Sequence, residues 1–135
     1  YCGVFCGACP IMLATKAGKL EGDKSCYGCK SEKPTGFCKT CRIKACAISK
    51  GFKLCIECGK LTTCDLMHKF ITDKQYPYGL CVLKNLKLIQ TTGLVNWLEM
   101  QVKRWRCEHC GEPHSWYQET CSKCGFAVNN YLADL

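Results

Sequence analysis

Cys107-Glu108-His109-Cys110-Gly111 and Cys121-Ser122-Lys123-Cys124-Gly125 stand near the end of a 135-residue chain, with ten residues between Cys110 and Cys121. Each is a C-x-x-C-G turn. Two thiolates on one tight turn face the same way, and two such turns facing each other complete a tetrahedral shell with zinc–sulfur bonds of about 2.3 Å. The glycine after the second cysteine permits a left-handed backbone, which aims amide N–H groups at the sulfurs. The pattern predicts a C-terminal zinc ribbon over residues 105–126, with Cys107, Cys110, Cys121 and Cys124 as ligands. Trp105, Trp116, Tyr117 and Phe126 suit its short strands, and His109 and His114, left over from a complete shell, are expected on the solvated surface.

Outward from the ribbon, the chain holds 16 cysteines in all. Besides the two ribbon turns, C-x-x-C pairs occur at Cys6/Cys9, Cys26/Cys29, Cys38/Cys41 and Cys55/Cys58. A disulfide within such a pair closes a strained ring suited to redox exchange, whereas a metal needs two sulfurs side by side. Metal is therefore the reading, and a disulfide scaffold is set aside. The formal net charge of +8 counts every cysteine as a neutral thiol. Sixteen thiolates around four divalent ions, or four cubane clusters with their thiolates, would cancel it. The 19 Lys and Arg residues then serve as counter-charges, which weakens a nucleic-acid reading based on charge alone.

Residues 1–79 are expected to form a cysteine-rich metal-binding module with short helices. Its candidate ligands are Cys2, Cys6, Cys9, Cys26, Cys29, Cys38, Cys41, Cys46, Cys55, Cys58 and Cys64, with Cys81 just beyond it. Cys46 inside a helix and Cys81 at a helix start are the weakest of these, because a free cysteine is also a good small core residue. Pro10 marks one helix start with Gly18 near its end; Ile43–Lys50 forms another, stopped by Gly51; Asp65–Ile71 forms a third. Thiolates bind zinc and iron alike, so the preference for zinc in this module leaves a [4Fe–4S] cluster as its alternative. Cys2-x3-Cys6-x2-Cys9 has the spacing of a radical S-adenosylmethionine cluster, but so short a chain lacks the barrel which that chemistry needs.

The ordered run Tyr1-Cys2-Gly3, Cys6, Cys9-Pro10, Ala14-Thr15, Cys26-x-Gly28-Cys29, Cys41-Arg42-Ile43-x-x-Cys46-Ala47, Lys50-Gly51 and Cys55-x-x-Cys58 with Cys64 resembles a prokaryotic cysteine-rich domain of unknown function. The resemblance runs from Tyr1 to about His68. It implies a metal-binding domain and no established reaction; some relatives carry a trailing helical stretch and ribbon, as here. Leu61-Thr62-Thr63-Cys64 departs from the pattern, where an aromatic and a proline would precede the last cysteine, but the ligand itself is intact.

Residues 80–104 read as a helical hairpin broken at Thr91-Thr92-Gly93, with Val82, Leu86 and Ile89 at helical spacing on one helix, Leu94, Leu98 and Val102 on the other, and Leu83, Trp97 and Met100 widening the apolar face. Residues 127–135 read as a tail. The fold class is thus a small metal-stapled α+β protein. No catalytic constellation is visible: there is no Ser-His-Asp set, no Gly-rich phosphate loop and no paired carboxylates, and His68 reads as surface. Enzymatic activity is left undecided, with a non-enzyme preferred. The expected role is a structural and interaction module with a protein partner. The alternatives are iron–sulfur electron transfer or metal handling, and nucleic-acid binding through Lys103, Arg104 and Arg106 beside Trp105 and Trp116. No run approaches the roughly 20 apolar residues of a membrane span. With reduced thiols and no basic-then-apolar leader in view, the expected location is the cytoplasm.

Overall fold

Pro10, with its φ preset and its missing N–H wasted on no bond, opens α1 (Pro10–Lys16) directly after Cys9. The computed structural model describes residues 1–34 and 36–135. Among the described residues five more helices follow: α2 (Gly36–Lys39), α3 (Arg42–Ser49), α4 (Asp65–Ile71), α5 (Val82–Thr92) and α6 (Leu94–Arg104). Short 3-10 turns sit between them, among them Cys6–Ala8, Cys55–Glu57 and Pro77–Cys81. α3 ends where Gly51 takes φ +71°, with Gly51 N–H bonded to Ile48 O (3.0 Å) and Phe52 N–H to Ala47 O (2.9 Å).

The chain is mostly helical. The strands expected around the C-terminal turns shrink to two isolated antiparallel bridges among the described residues, Arg106↔Pro113 and Thr120↔Ala127. Each loop is too short for a longer ladder, and Pro113 has no N–H to give one.

α5 buries Val82, Leu86 and Ile89, as its spacing predicts. α6 follows expectation only at Trp97: Leu94, Leu98 and Val102 are 40–47 % exposed, while Trp97 and Gln101 face inward and the buried Trp105 continues their line. Trp97 meets Phe5 edge-on at 6.0 Å, and both indoles join the shared core. Gln101 rides inward with them because its Oε1 accepts the Trp105 Nε1–H at 2.8 Å.

One core gathers residues from the whole chain: Phe5, Ile43 and Met67 from the cysteine-rich part, Val82, Leu86 and Trp97 from the hairpin, and Trp116 from between the C-terminal turns. Tyr78 is its hub. Its ring stacks on Trp116 (4.2 Å between centroids, 4° between planes) and meets Trp105 edge-on at 5.9 Å. Buried Asn85 donates to Tyr78 Oη (3.2 Å) and to Gly3 O (3.0 Å), clasping the N-terminal loop to α5. The final residues also fold back. Tyr131 N–H bonds Trp116 O (2.8 Å), and Arg104 pairs with Asp134 (2.9 Å) while donating to Asn129 O and Asn130 O. No helix among the described residues is long and apolar enough to cross a membrane.

Candidate metal centre

The two C-x-x-C-G turns adopt the same backbone. Gly111 (φ +72°) donates to Cys107 O at 2.8 Å, and Gly125 (φ +73°) donates to Cys121 O at 3.0 Å. Cys107 N–H reaches Glu112 O (2.9 Å), and Cys121 N–H reaches Phe126 O (2.8 Å). These repeated bonds turn both pairs of thiols toward each other. Cys107 and Cys124 sulfurs are 3.6 Å apart, as are those of Cys110 and Cys121, and all four sulfurs lie within 4.8 Å of one another. Tetrahedral bonds of 2.3 Å to one ion put sulfurs about 3.8 Å apart. The group therefore could hold a metal ion.

Its electrostatics point the same way. Backbone N–H groups of Cys124 and Lys123 stabilise the Cys121 thiolate against the cost of burial and bring the thiol down to about 7. Glu112 N–H likewise pulls on Cys110, but burial and the neighbouring sulfurs push that thiol up to about 12. Four crowded sulfurs cannot all ionise without a cation between them.

The surroundings of this centre differ in part from expectation. His109 is exposed and stacks on Phe126. His114, expected on the surface, is 2 % exposed, because its ring packs edge-on against Trp105. Burial lowers its pKa, and its Nδ1 lies 3.3 Å from Ser115 O. Trp105 and Trp116, read as platforms for stacking bases, are core residues. Arg104 is tied to the C-terminal turn and lies 4.3 Å from the Trp105 ring.

The N-terminal cysteines fall into neighbourhoods that spacing alone did not reveal. Cys9, Cys41 and Cys64 each take the N-cap position of a helix, α1, α3 and α4 respectively. The Cys6 thiol hydrogen-bonds Cys29, bringing Cys29 down to about 6, with Lys44 and Lys30 adding to the effect against burial. Cys6 itself is raised by the same bond and by burial. Cys2 is raised by burial and feels the charges of Cys29 and Cys41. Cys9, raised by burial, has the buried Cys26 as its cysteine neighbour. Cys38 is half-buried on α2.

Cys46, Cys55, Cys58 and Cys64 line one half-open cavity of about 300 Å³. Burial first, and then the charges of Cys2, Cys64 and Cys46, push the Cys55 thiol up to about 11. Cys46 was the weak candidate of this set. On α3, Cys46 and the C-cap Lys50 sit three and seven residues after buried Ile43, along one side of the helix. Cys81 is set in the hydrophobic core with its sulfur 3.8 Å from Tyr131 O, and the charges that act on it are those of Asp134, Lys84 and Arg104. His68 is exposed on α4.

A family model described as "Protein of unknown function (DUF3795)" matches residues 1–69. No curated protein and no solved structure matches the chain.

Proposed function

This chain belongs to the DUF3795 family, whose description supplies no reaction, and we propose that it is a metal-stapled binding module in which Cys107, Cys110, Cys121 and Cys124 hold one structural zinc ion as a ribbon. The observation that carries this is the mutual approach of the four sulfurs, with paired contacts at 3.6 Å. Four protein ligands leave zinc no open position, which makes the centre structural and not catalytic. Zinc bound by thiolates supplies folding energy to a segment with few core residues of its own. The cysteines of residues 1–64 are further metal ligands.

On this reading the chain divides into the cysteine-rich module at 1–79, the hairpin at 80–104, the ribbon at 105–126 and a terminal segment at 127–135. The partner is a protein, and the location is the cytoplasm, where thiols stay reduced. The exposed row Leu94, Leu98 and Val102 on α6 and the burial of Trp105 and Trp116, the two rings a nucleic-acid role would stack on, support a protein contact.

The test is the zinc content of Cys107→Ser and Cys124→Ser. Each variant is expected to lose one tightly bound zinc per chain and amide-exchange protection in both C-x-x-C-G turns. Unchanged zinc in either variant refutes the assignment.

A further inference from the structure

We infer that Cys46, Cys55, Cys58 and Cys64 form a second metal centre, whose size fits a [4Fe–4S] cubane and not a single zinc ion. The four come from three separate pieces of chain. Cys46 is on α3, Cys55 and Cys58 bracket the 3-10 turn Cys55–Glu57, and Cys64 caps α4. They converge on the same cavity.

Size separates the two kinds of centre. A single tetrahedral ion holds its sulfurs about 3.8 Å apart, and the C-terminal group already has that spacing. Among the described residues, it alone brings three or more Cys, His, Asp or Glu ligand atoms within 4.8 Å of one another. No three of the cavity sulfurs are therefore that close. The terminal sulfurs of a cubane stand roughly 6.5 Å apart, because four irons and four sulfides lie between them. The half-open cavity of about 300 Å³, whose lining includes all four thiols, has room for a group of cluster size.

The rest of the lining suits such a group. Ile43, Phe52, Leu61 and Met67 give it an apolar wall, and Lys50 and Lys60, with Asp65 opposing them, leave net positive charge to set against the charge of about −2 that a cubane carries with four thiolates. Loading balances without any change in oxidation state. Each protein thiol passes its proton to a departing thiolate ligand of a preformed cluster, while its sulfur takes over the iron. The inference is independent of the zinc assigned to the C-terminal centre.

The experiment offers a preformed [4Fe–4S] cluster, carrying four small alkylthiolate ligands, to the zinc-loaded 135-residue chain without oxygen. Uptake of four iron and four sulfide per chain is expected, with a broad absorption near 400 nm. Cys46→Ser should lose most of that chromophore while keeping one zinc per chain, which reports that the rest of the fold is intact. Cys81→Ser, in the core and away from the cavity, should load fully. A chromophore that survives Cys46→Ser and Cys64→Ser but is lost in Cys6→Ser would place the cluster at the neighbouring cysteines and overturn the inference. A chain that takes up no iron and instead binds zinc at these four cysteines would overturn it as well. Loss of zinc in Cys107→Ser with the 400 nm band retained would separate the two centres.

Discussion

Replacing Gly3 by alanine probes the joint between the cysteine-rich loop and the hairpin. Gly3 has φ +87°, and a Cβ there would lie 2.8 Å from Leu86 Cγ and 3.0 Å from Val82 O. Leu86 and Val82 are fully buried, so neither has room to retreat. The left-handed backbone costs a non-glycine residue about 1–2 kcal/mol, and forcing a methyl into a filled core costs about 1–3 kcal/mol more. Gly18 supplies the control. It has φ +68° with nothing within 4 Å of its would-be Cβ, so Gly18→Ala bears the backbone cost alone. The gap between the two variants is the packing cost, about 1–3 kcal/mol, or roughly 4–12 °C in Tm for a chain of this size. Thermal unfolding of the metal-loaded proteins, followed by circular dichroism, measures it. Equal losses in the two variants would refute the docking of Gly3 on α5, and with it the clasp that Asn85 makes on this loop.

Two further outcomes follow from the core and from the returning C-terminus. Cys81→Ala is expected to leave metal content unchanged and to cost about 1–2 kcal/mol, since it removes a buried sulfur and leaves a small void. Burial, helped by Asp134, pushes the Cys81 thiol from about 9 up to about 11. A raised folded pKa means a stabilising contribution that is full below pH 9 and lost as pH rises through 11, so Cys81→Ala should flatten that part of the Tm–pH curve. Arg104→Met removes the Asp134 pair and both carbonyl contacts; a loss of about 2 kcal/mol is expected, with faster amide exchange at Tyr131 and Leu132 as the readout.

Signals that act within a few residues were legible in the sequence. Helix α4 spans Asp65–Ile71, the range its sequence predicts, and Pro10, Gly51 and Gly93 mark the boundaries where their backbone constraints put them. The C-terminal thiols were legible for the same reason: each C-x-x-C-G turn carries its own geometry, and the two turns lie only ten residues apart. What stayed hidden was orientation and long-range pairing. Periodicity on α6 is satisfied by either Leu94/Leu98/Val102 or Trp97/Gln101, and the choice is made by Phe5, which meets Trp97 edge-on at 6.0 Å from the far end of the chain. His114 is buried for a similar reason, because Trp105 supplies a ring to cover it. Cys46 joins Cys55, Cys58 and Cys64 only once α3 and α4 pack together, and no spacing rule carries that information.

Sulfur and core alternate along the whole chain, which bears on how the fold is held. Cys6 and Cys9 flank buried Ala8, Cys41 precedes Ile43, Cys64 precedes Met67, and Cys107 follows Trp105 by two residues. Each short segment thus contributes one or two apolar side chains to the common core, too few to hold it in place alone. A metal bound by neighbouring thiols removes the conformational freedom that those few contacts cannot offset. The C-terminal centre shows the coupling: Trp116, between its two turns, stacks on Tyr78 and accepts a hydrogen bond from Tyr131. Opening that group of thiols would free Trp116 from the ring at the middle of the core, so a metal held there, as proposed, would bear on packing shared by the whole core.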